Sequence, residues 1–197
     1  MNILITGVGG QGTILASKIL AAAALYDNNN AMTGETIGMS QRGGSVLSHV
    51  RIGDILSPYI PQGEGDLLLS LELCEGARCL PFMRKGASAI VSHTQIKPVA
   101  TAISGATYDT ELMRRLLMEK CHVHFIDAEE IAQRCGSTKA ANIVLLGTAY
   151  GKGLLNLSRS SLIRSMRENI NEKYIEQNLL AFSEGEKAGQ KALSAIL

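Results

Sequence analysis

The six residues Gly7-Val8-Gly9-Gly10-Gln11-Gly12 constrain this chain more than any other stretch. They stand between a short apolar run, Asn2 to Thr6, and a helical pattern from Gln11 to about Tyr26 in which Ile14, Leu15, Ile19, Leu20 and Ala23 share one face. A strand that turns at once into a helix uses one glycine for the tight turn, a second for close backbone approach and a third for packing helix on strand. The spacing is that of the G-x-G-x-x-G phosphate fingerprint, and the N–H groups from Gly10 to Thr13 make an anion site by geometry and dipole. The second half of the fingerprint is weak. The acidic residue that reads the ribose of a dinucleotide belongs about 20 positions further on, where Glu35 is the sole carboxylate and sits in Thr33-Gly34-Glu35-Thr36 rather than at the end of a strong apolar strand.

Beyond that turn the chain alternates. Ala31 to Ile37 reads as a weak strand, Ser45 to Ile52 as a half-buried one, and Gly53 to Gly65, with Pro58 and Pro61, as a loop. Asp66 to Leu71 reads as a buried strand, Glu72 to Leu80 as a short helix ended by Pro81, and Ala87 to Ser92 as a strand. Thr94 to Tyr108 is turn-rich, Asp109 to Lys120 helical, Val123 to Ile126 a strand and Ala128 to about Cys135 a helix. Such alternation predicts an α/β fold, a mainly parallel sheet with helices on both faces. From Ser137 the pattern is helical: Ala140 to Ala149 is apolar on most sides and stopped by Gly151 and Gly153. Ser158 opens a helix through Asn169, and an amphipathic helix runs from Asn171 to about Leu193 with a break expected at Gly185. Residues 1–136 form the α/β core and 137–197 a helical C-terminal extension packed on it, one domain in all.

A net charge of +1, from 19 Lys plus Arg against 18 Asp plus Glu, leaves no electrostatic footprint for nucleic acid or an anionic membrane. The first residues run straight into the glycine turn without the basic start of a signal peptide, and no apolar stretch approaches the roughly 20 residues of a membrane span, so a cytoplasmic location is expected. Cys74, Cys79, Cys121 and Cys135 lack iron–sulfur or zinc spacing, and Cys121, His122 and His124 are completed by no second pair; no metal is expected. His49 reads as a satisfied core or interface histidine, and His93 stands alone. No G-x-S-x-G, H-E-x-x-H or P-loop lysine is present. A second glycine-rich element, Ser40-Gln41-Arg42-Gly43-Gly44-Ser45, falls near the ligand crevice of a doubly wound sheet, where Arg42 could offer its donor fork to a phosphate or carboxylate or be a solvated turn residue. From the residues alone a free-standing NAD(P)- or FAD-binding oxidoreductase and a non-catalytic binding module stay open.

Four elements in order carry a resemblance: Gly7 to Gly12, Arg42-Gly43-Gly44, Ile55-Leu56-Ser57-Pro58-Tyr59-Ile60 ahead of Asp66-Leu67-Leu68, and Asn142-Ile143-Val144-Leu145-Leu146-Gly147. Together they resemble the gamma-type domain of the 2-oxoacid:ferredoxin oxidoreductases over almost the whole chain. The resemblance implies a Rossmann-like domain that binds no NAD. It further implies the reaction of the complex, oxidative decarboxylation of a 2-oxoacid, an aryl one such as indolepyruvate, to acyl-CoA, CO2 and reduced ferredoxin. Thiamine diphosphate, Mg2+ and 4Fe-4S clusters are then expected on a large alpha subunit, with coenzyme A as co-substrate, ferredoxin reached through the complex, and no cofactor or catalytic residue on this chain. In isolation such a subunit could pair with a second copy. The expected coenzyme A or partner-facing loop comprises Gly9, Gly10, Gln11, Gly12 and Thr13 with Arg42, Gly43 and Gly44.

Overall fold

A computed structural model describes residues 1–38, 44–97 and 108–194. One six-stranded sheet has the order β2-β3-β1-β4-β5-β6, with β1 at Asn2–Val8, β2 at Ala31–Ile37, β3 at Ser45–Ile52, β4 at Gly65–Ser70, β5 at Met83–Ser92 and β6 at Cys121–Ile126. β1, β4, β5 and β6 are mutually parallel, whereas β3 runs antiparallel to β1 on one side and β2 on the other. The mainly parallel sheet is therefore present with one antiparallel flank. Its cause is the short connection from Ile37 to Ser45, since a parallel crossover needs about a dozen residues or more.

The helices are α1 at Thr13–Tyr26, α2 at Leu73–Arg78, α3 at Thr110–Lys120, α4 at Ala128–Arg134, α5 at Ala141–Gly151, α6 at Arg159–Asn169 and α7 at Glu172–Ser194. Single 3-10 turns occupy Leu80–Phe82 and Thr138–Ala140. Period-two alternation in the central strands sorts side chains to two faces. Ile3, Ile5, Leu67, Leu69 and Val50 pack with α1, α5, α6 and α7, while Leu4, Leu68, Ala89 and Val91 pack with Leu73 of α2 and Leu117 of α3. Helices thus cover both faces, and the C-terminal helices share the apolar cluster of β1 and α1.

Every residue of α5 from Ala141 to Ala149 is buried, and its partner α7 runs unbroken through Gly185. That corrects the break expected there. Gly147 and Gly151 on α5 face Gly185 and Gly189 on α7, so that a Cβ at any of the four would fall on a carbonyl oxygen of the other helix: those of Phe182, Glu186, Val144 and Thr148 respectively. Glycine is required here by backbone contact, which the loss of helix propensity accompanies. α5 ends at Gly151 as expected, capped by Lys152 and followed by Gly153 at φ 67°. Caps fix other ends. Asp109 accepts from the Leu112 N–H at 2.9 Å, and Asp27, just past α1, accepts from Ser158 N, Ser158 Oγ and Ser161 Oγ at the head of α6.

Candidate functional site

Parallel strands release their chains at one edge of a sheet, and ligands of open α/β folds bind there. On this molecule the edge carries the glycine turn after β1, Leu71-Glu72 after β4, His93-Thr94 after β5 and Asp127 after β6. The glycine turn is built from within. Gln11 folds back so that its Oε1 accepts from Val8 N at 2.8 Å and its Nε2 donates to Leu71 O at 3.1 Å. A Cβ at Gly7 would stand 2.6 Å from that Oε1, so the first glycine makes room for the glutamine. Gly12, at φ 80°, is the uncapped N-terminus of α1. Its carbonyl accepts from Asn142 Nδ2 at 2.9 Å, and Asn142 Oδ1 accepts from Ile143 N at 2.9 Å. One buried amide therefore ties the first turn of α1 to the first turn of α5.

Among the residues expected to face a ligand or partner, Gly9 and Gly44 meet directly, Gly9 N donating to Gly44 O at 2.9 Å. Thr13 is buried and the side chain of Gln11 is engaged inside the fold. Gly10, at φ 98° with nothing within 4 Å of its Cβ position, is the open point of the turn. Arg42 and Gly43 lie outside the described residues. Sequence reasoning passed over Thr138 and Lys139. They join Gly10, Gln11, Glu129 and Ala141 around a hollow of about 150 Å³, where Gly10 and Gln11 stand just ahead of the start of α1, which has no side-chain cap. A cation placed ahead of a mostly apolar helix, Lys139 before Ala140 to Leu146, was the available signal. A second hollow of about 270 Å³, lined by Ser92, His93, Thr94, Asp127, Glu129 and Glu130, continues along the edge.

Two buried carboxylates organise this edge. Glu72 caps α2 by accepting from Glu75 N at 2.8 Å, and its other oxygen accepts from Ile96 N at 3.1 Å and from the Tyr108 hydroxyl. Burial, then the hydrogen bond and charge of Glu72, push the Tyr108 phenol well above its ordinary range. Glu75 accepts from Ser45 Oγ at 2.5 Å, one residue after Gly44, and pairs with Arg78 at 3.2 Å. His93 contacts Arg114 through Nδ1 and stacks on Phe125. His49, 3% exposed, accepts from Ile60 N at 3.2 Å through Nδ1, and burial holds its pKa below the ordinary value despite Glu35. It is a packing residue.

The topology argues against the dinucleotide reading. A Rossmann ribose is read from the strand beside β1, but β3 occupies that place and β2 is one strand further out, about 10 Å from β1 at the usual strand spacing. The Glu35 carboxylate accepts from Ser17 Oγ of α1 at 3.2 Å. Burial raises the pKa of Cys74, Cys121 and Cys135 and takes Cys79 to about 11, and among the described residues no three metal-binding side chains converge.

Residues 2–188 match the family model for pyruvate ferredoxin/flavodoxin oxidoreductase. Subunit IorB of indolepyruvate oxidoreductase from Archaeoglobus fulgidus is 36% identical over 187 residues, covering 94% of this chain and 93% of its own. Among solved structures, the gamma subunit of a keto/oxoacid ferredoxin oxidoreductase from Geobacter sulfurreducens superposes with a TM-score of 0.74 at 26% identity, covering 96% of this chain and 98% of that one. The same fold forms part of 2-oxoglutarate:ferredoxin oxidoreductase from Magnetococcus marinus, TM-score 0.74 at 21% identity, where 98% of this chain matches 31% of the longer one. With its glycine turn, flanking hairpin and glycine-seamed C-terminal helices, the chain belongs to the pyruvate ferredoxin/flavodoxin oxidoreductase family, alongside the IorB subunits of indolepyruvate oxidoreductase.

Proposed function

We propose that this chain, a subunit of an indolepyruvate:ferredoxin oxidoreductase, holds no redox cofactor itself and completes the active site of a large cytoplasmic alpha subunit. That subunit carries thiamine diphosphate, Mg2+ and the 4Fe-4S clusters. When bound there, these groups supply the decarboxylation and the electron path to ferredoxin, while this chain supplies shape and charge. The glycine turn from Gly9 to Thr13, with Gly44 and the Arg42-Gly43 segment before it, faces that subunit and the phosphates of coenzyme A. One observation carries the reading: Gly10 and Gln11, just ahead of the start of α1 that has no side-chain cap, share one hollow with Lys139. The start of α1 and the Lys139 ammonium favour an anion, with the Glu129 carboxylate on the rim of the same hollow.

Steady-state kinetics of the assembled enzyme test this. Lys139→Ala and Arg42→Ala are expected to raise KM for coenzyme A several-fold, with kcat and the KM for the 2-oxoacid unchanged. A normal coenzyme A KM in both variants removes the ligand role and leaves the turn as a partner contact. Co-purification of the tagged chain with the alpha subunit checks the assembly itself.

A further inference from the structure

Where α6 hands over to α7, the surface folds inward. A hollow of about 390 Å³ lies between the first turn of α1, the turn before α5, the end of α6 and the first turns of α7, within the roughly 300–1,000 Å³ of small-molecule sites. Neither the glycine turn nor the carboxylates Glu72 and Glu75 line it. Leu15, Ala140 and Ile170 form its apolar part, and the last two are buried.

The polar groups on the same wall are held in place. Asn169 donates through Nδ2 to Ser165 O at 2.9 Å, and Asn178 donates through Nδ2 to Tyr174 O at 2.8 Å. Each amide is thereby anchored by its nitrogen, which leaves the oxygen as its free end among the described residues. Tyr174 is set by its own N–H, which donates to Asn171 O at 2.8 Å, and its side chain is half exposed. Tyr174 and Asn178 stand four apart on α7 and so share one face. Among the described residues of the lining, Lys139 is the one that carries a charge, with no carboxylate beside it. The Lys173 ammonium, 5.5 Å from the centre of the Tyr174 ring, adds positive charge nearby.

Each feature selects a property of the guest. Apolar walls and one aromatic side chain take a flat ring system. An anchored amide oxygen takes a ring N–H and leaves a guest without that donor at a disadvantage. A lysine is a point charge, and one ammonium in the lining suits a single carboxylate rather than a chain of phosphates. We propose that this hollow is a binding site for an aromatic monocarboxylate with a ring N–H, an indole acid, with its ring against Tyr174, its N–H on Asn178 and its carboxylate at Lys139. The site goes beyond the functional reading above, since it needs neither coenzyme A nor a second subunit. Because α7 is locked on α5 by the glycine seam, the wall stands formed before the guest arrives, which lowers the ordering cost of binding.

Titration calorimetry of the full chain with indoleacetate tests this. Lys139 also lines the glycine-turn hollow, so the test rests on Tyr174 and Asn178, in variants that keep the wild-type melting temperature. The wild type is expected to bind one molecule of indoleacetate per chain and to ignore tryptamine, which carries the same ring with a positive charge. N-methylindoleacetate is expected to bind several-fold more weakly than indoleacetate in the wild type, and as well as indoleacetate in Asn178→Ala. Tyr174→Ala is expected to weaken indoleacetate by about ten-fold. Absence of saturable binding by indoleacetate overturns the proposal, as does wild-type affinity in both variants. Tighter binding by adenosine monophosphate than by indoleacetate gives the hollow to a nucleotide and overturns the assignment as well. Coenzyme A takes no part in these titrations, so their failure and that of the functional reading are told apart.

Discussion

Histidine 49 shows how a single side chain can set a pH limit on the fold without touching the chemistry. Its Nδ1 accepts from Ile60 N, so the ring must be neutral and protonated on Nε2. Protonating Nδ1 would set donor against donor in a buried site. Burial lowers the folded-state pKa below the ordinary histidine value of 6.5, and the unfolded chain therefore takes up the proton first as pH falls. More protons on the unfolded state mean that stability declines on acidification through 6.5 and below. Urea unfolding from pH 7.5 to 5 should show that decline in the wild type and a flatter profile in His49→Gln; parallel profiles would place the pH sensitivity elsewhere. At this scale the sequence was informative about types and silent about partners. His49 was legible as a packing residue because it alternates within Ser45 to Ile52, whereas Asn142 drew notice only as the first residue of the run Asn142 to Gly147. That Asn142 reaches Gly12, 130 positions away, was not legible, because side-chain pairing across the fold leaves no local periodicity.

Among elements, the α5–α7 seam sets two contributions of opposite sign against each other. Helix propensity alone says that alanine in place of an interior glycine stabilises by up to about 1 kcal/mol. The seam says the reverse, because a methyl group at Gly147 or Gly185 would fall on a carbonyl oxygen of the neighbouring helix, and overpacking of this kind costs about 1–3 kcal/mol or more. Gly185→Ala and Gly147→Ala are each expected to lower the urea midpoint at unchanged m value, while a rise would show the helices parting without cost. The break expected at Gly185 came from reading glycine by its local preference. Its G-x-x-x-G spacing, repeated at Gly147-Gly151 and Gly185-Gly189, held the better signal. Most strands, by contrast, were placed within a few residues from alternation and flanking turns, since burial on one or both faces writes itself into the chain every second residue.

At the scale of the whole molecule, strand order decides what the glycine fingerprint can bind. Ala31 to Ile37 and Ser45 to Ile52 were both legible as strands, but their pairing was not, and it is the pairing that puts β3 where a nucleotide ribose would lie. Calorimetry of the isolated chain with NAD or FAD is expected to give no saturable binding below millimolar concentration; a micromolar isotherm would mean that β3 does not close the site. Among the described residues no helix is long and apolar enough to cross a bilayer.

The glycine seam also works as a gauge. Interlocked backbones allow α7 no slide along α5, because dispersion contact is lost within a fraction of an ångström and a shift of one residue drives side chains into carbonyl oxygens. From Gly185 the helix extends rigidly to Gln177, about 12 Å at 1.5 Å per residue, where the amide stands over Gly136 immediately before the turn that presents Thr138 and Lys139. Four missing side chains, two on each helix, fix how far along α5 the helix α7 sits, and with it where Gln177 meets Gly136, three residues before Lys139.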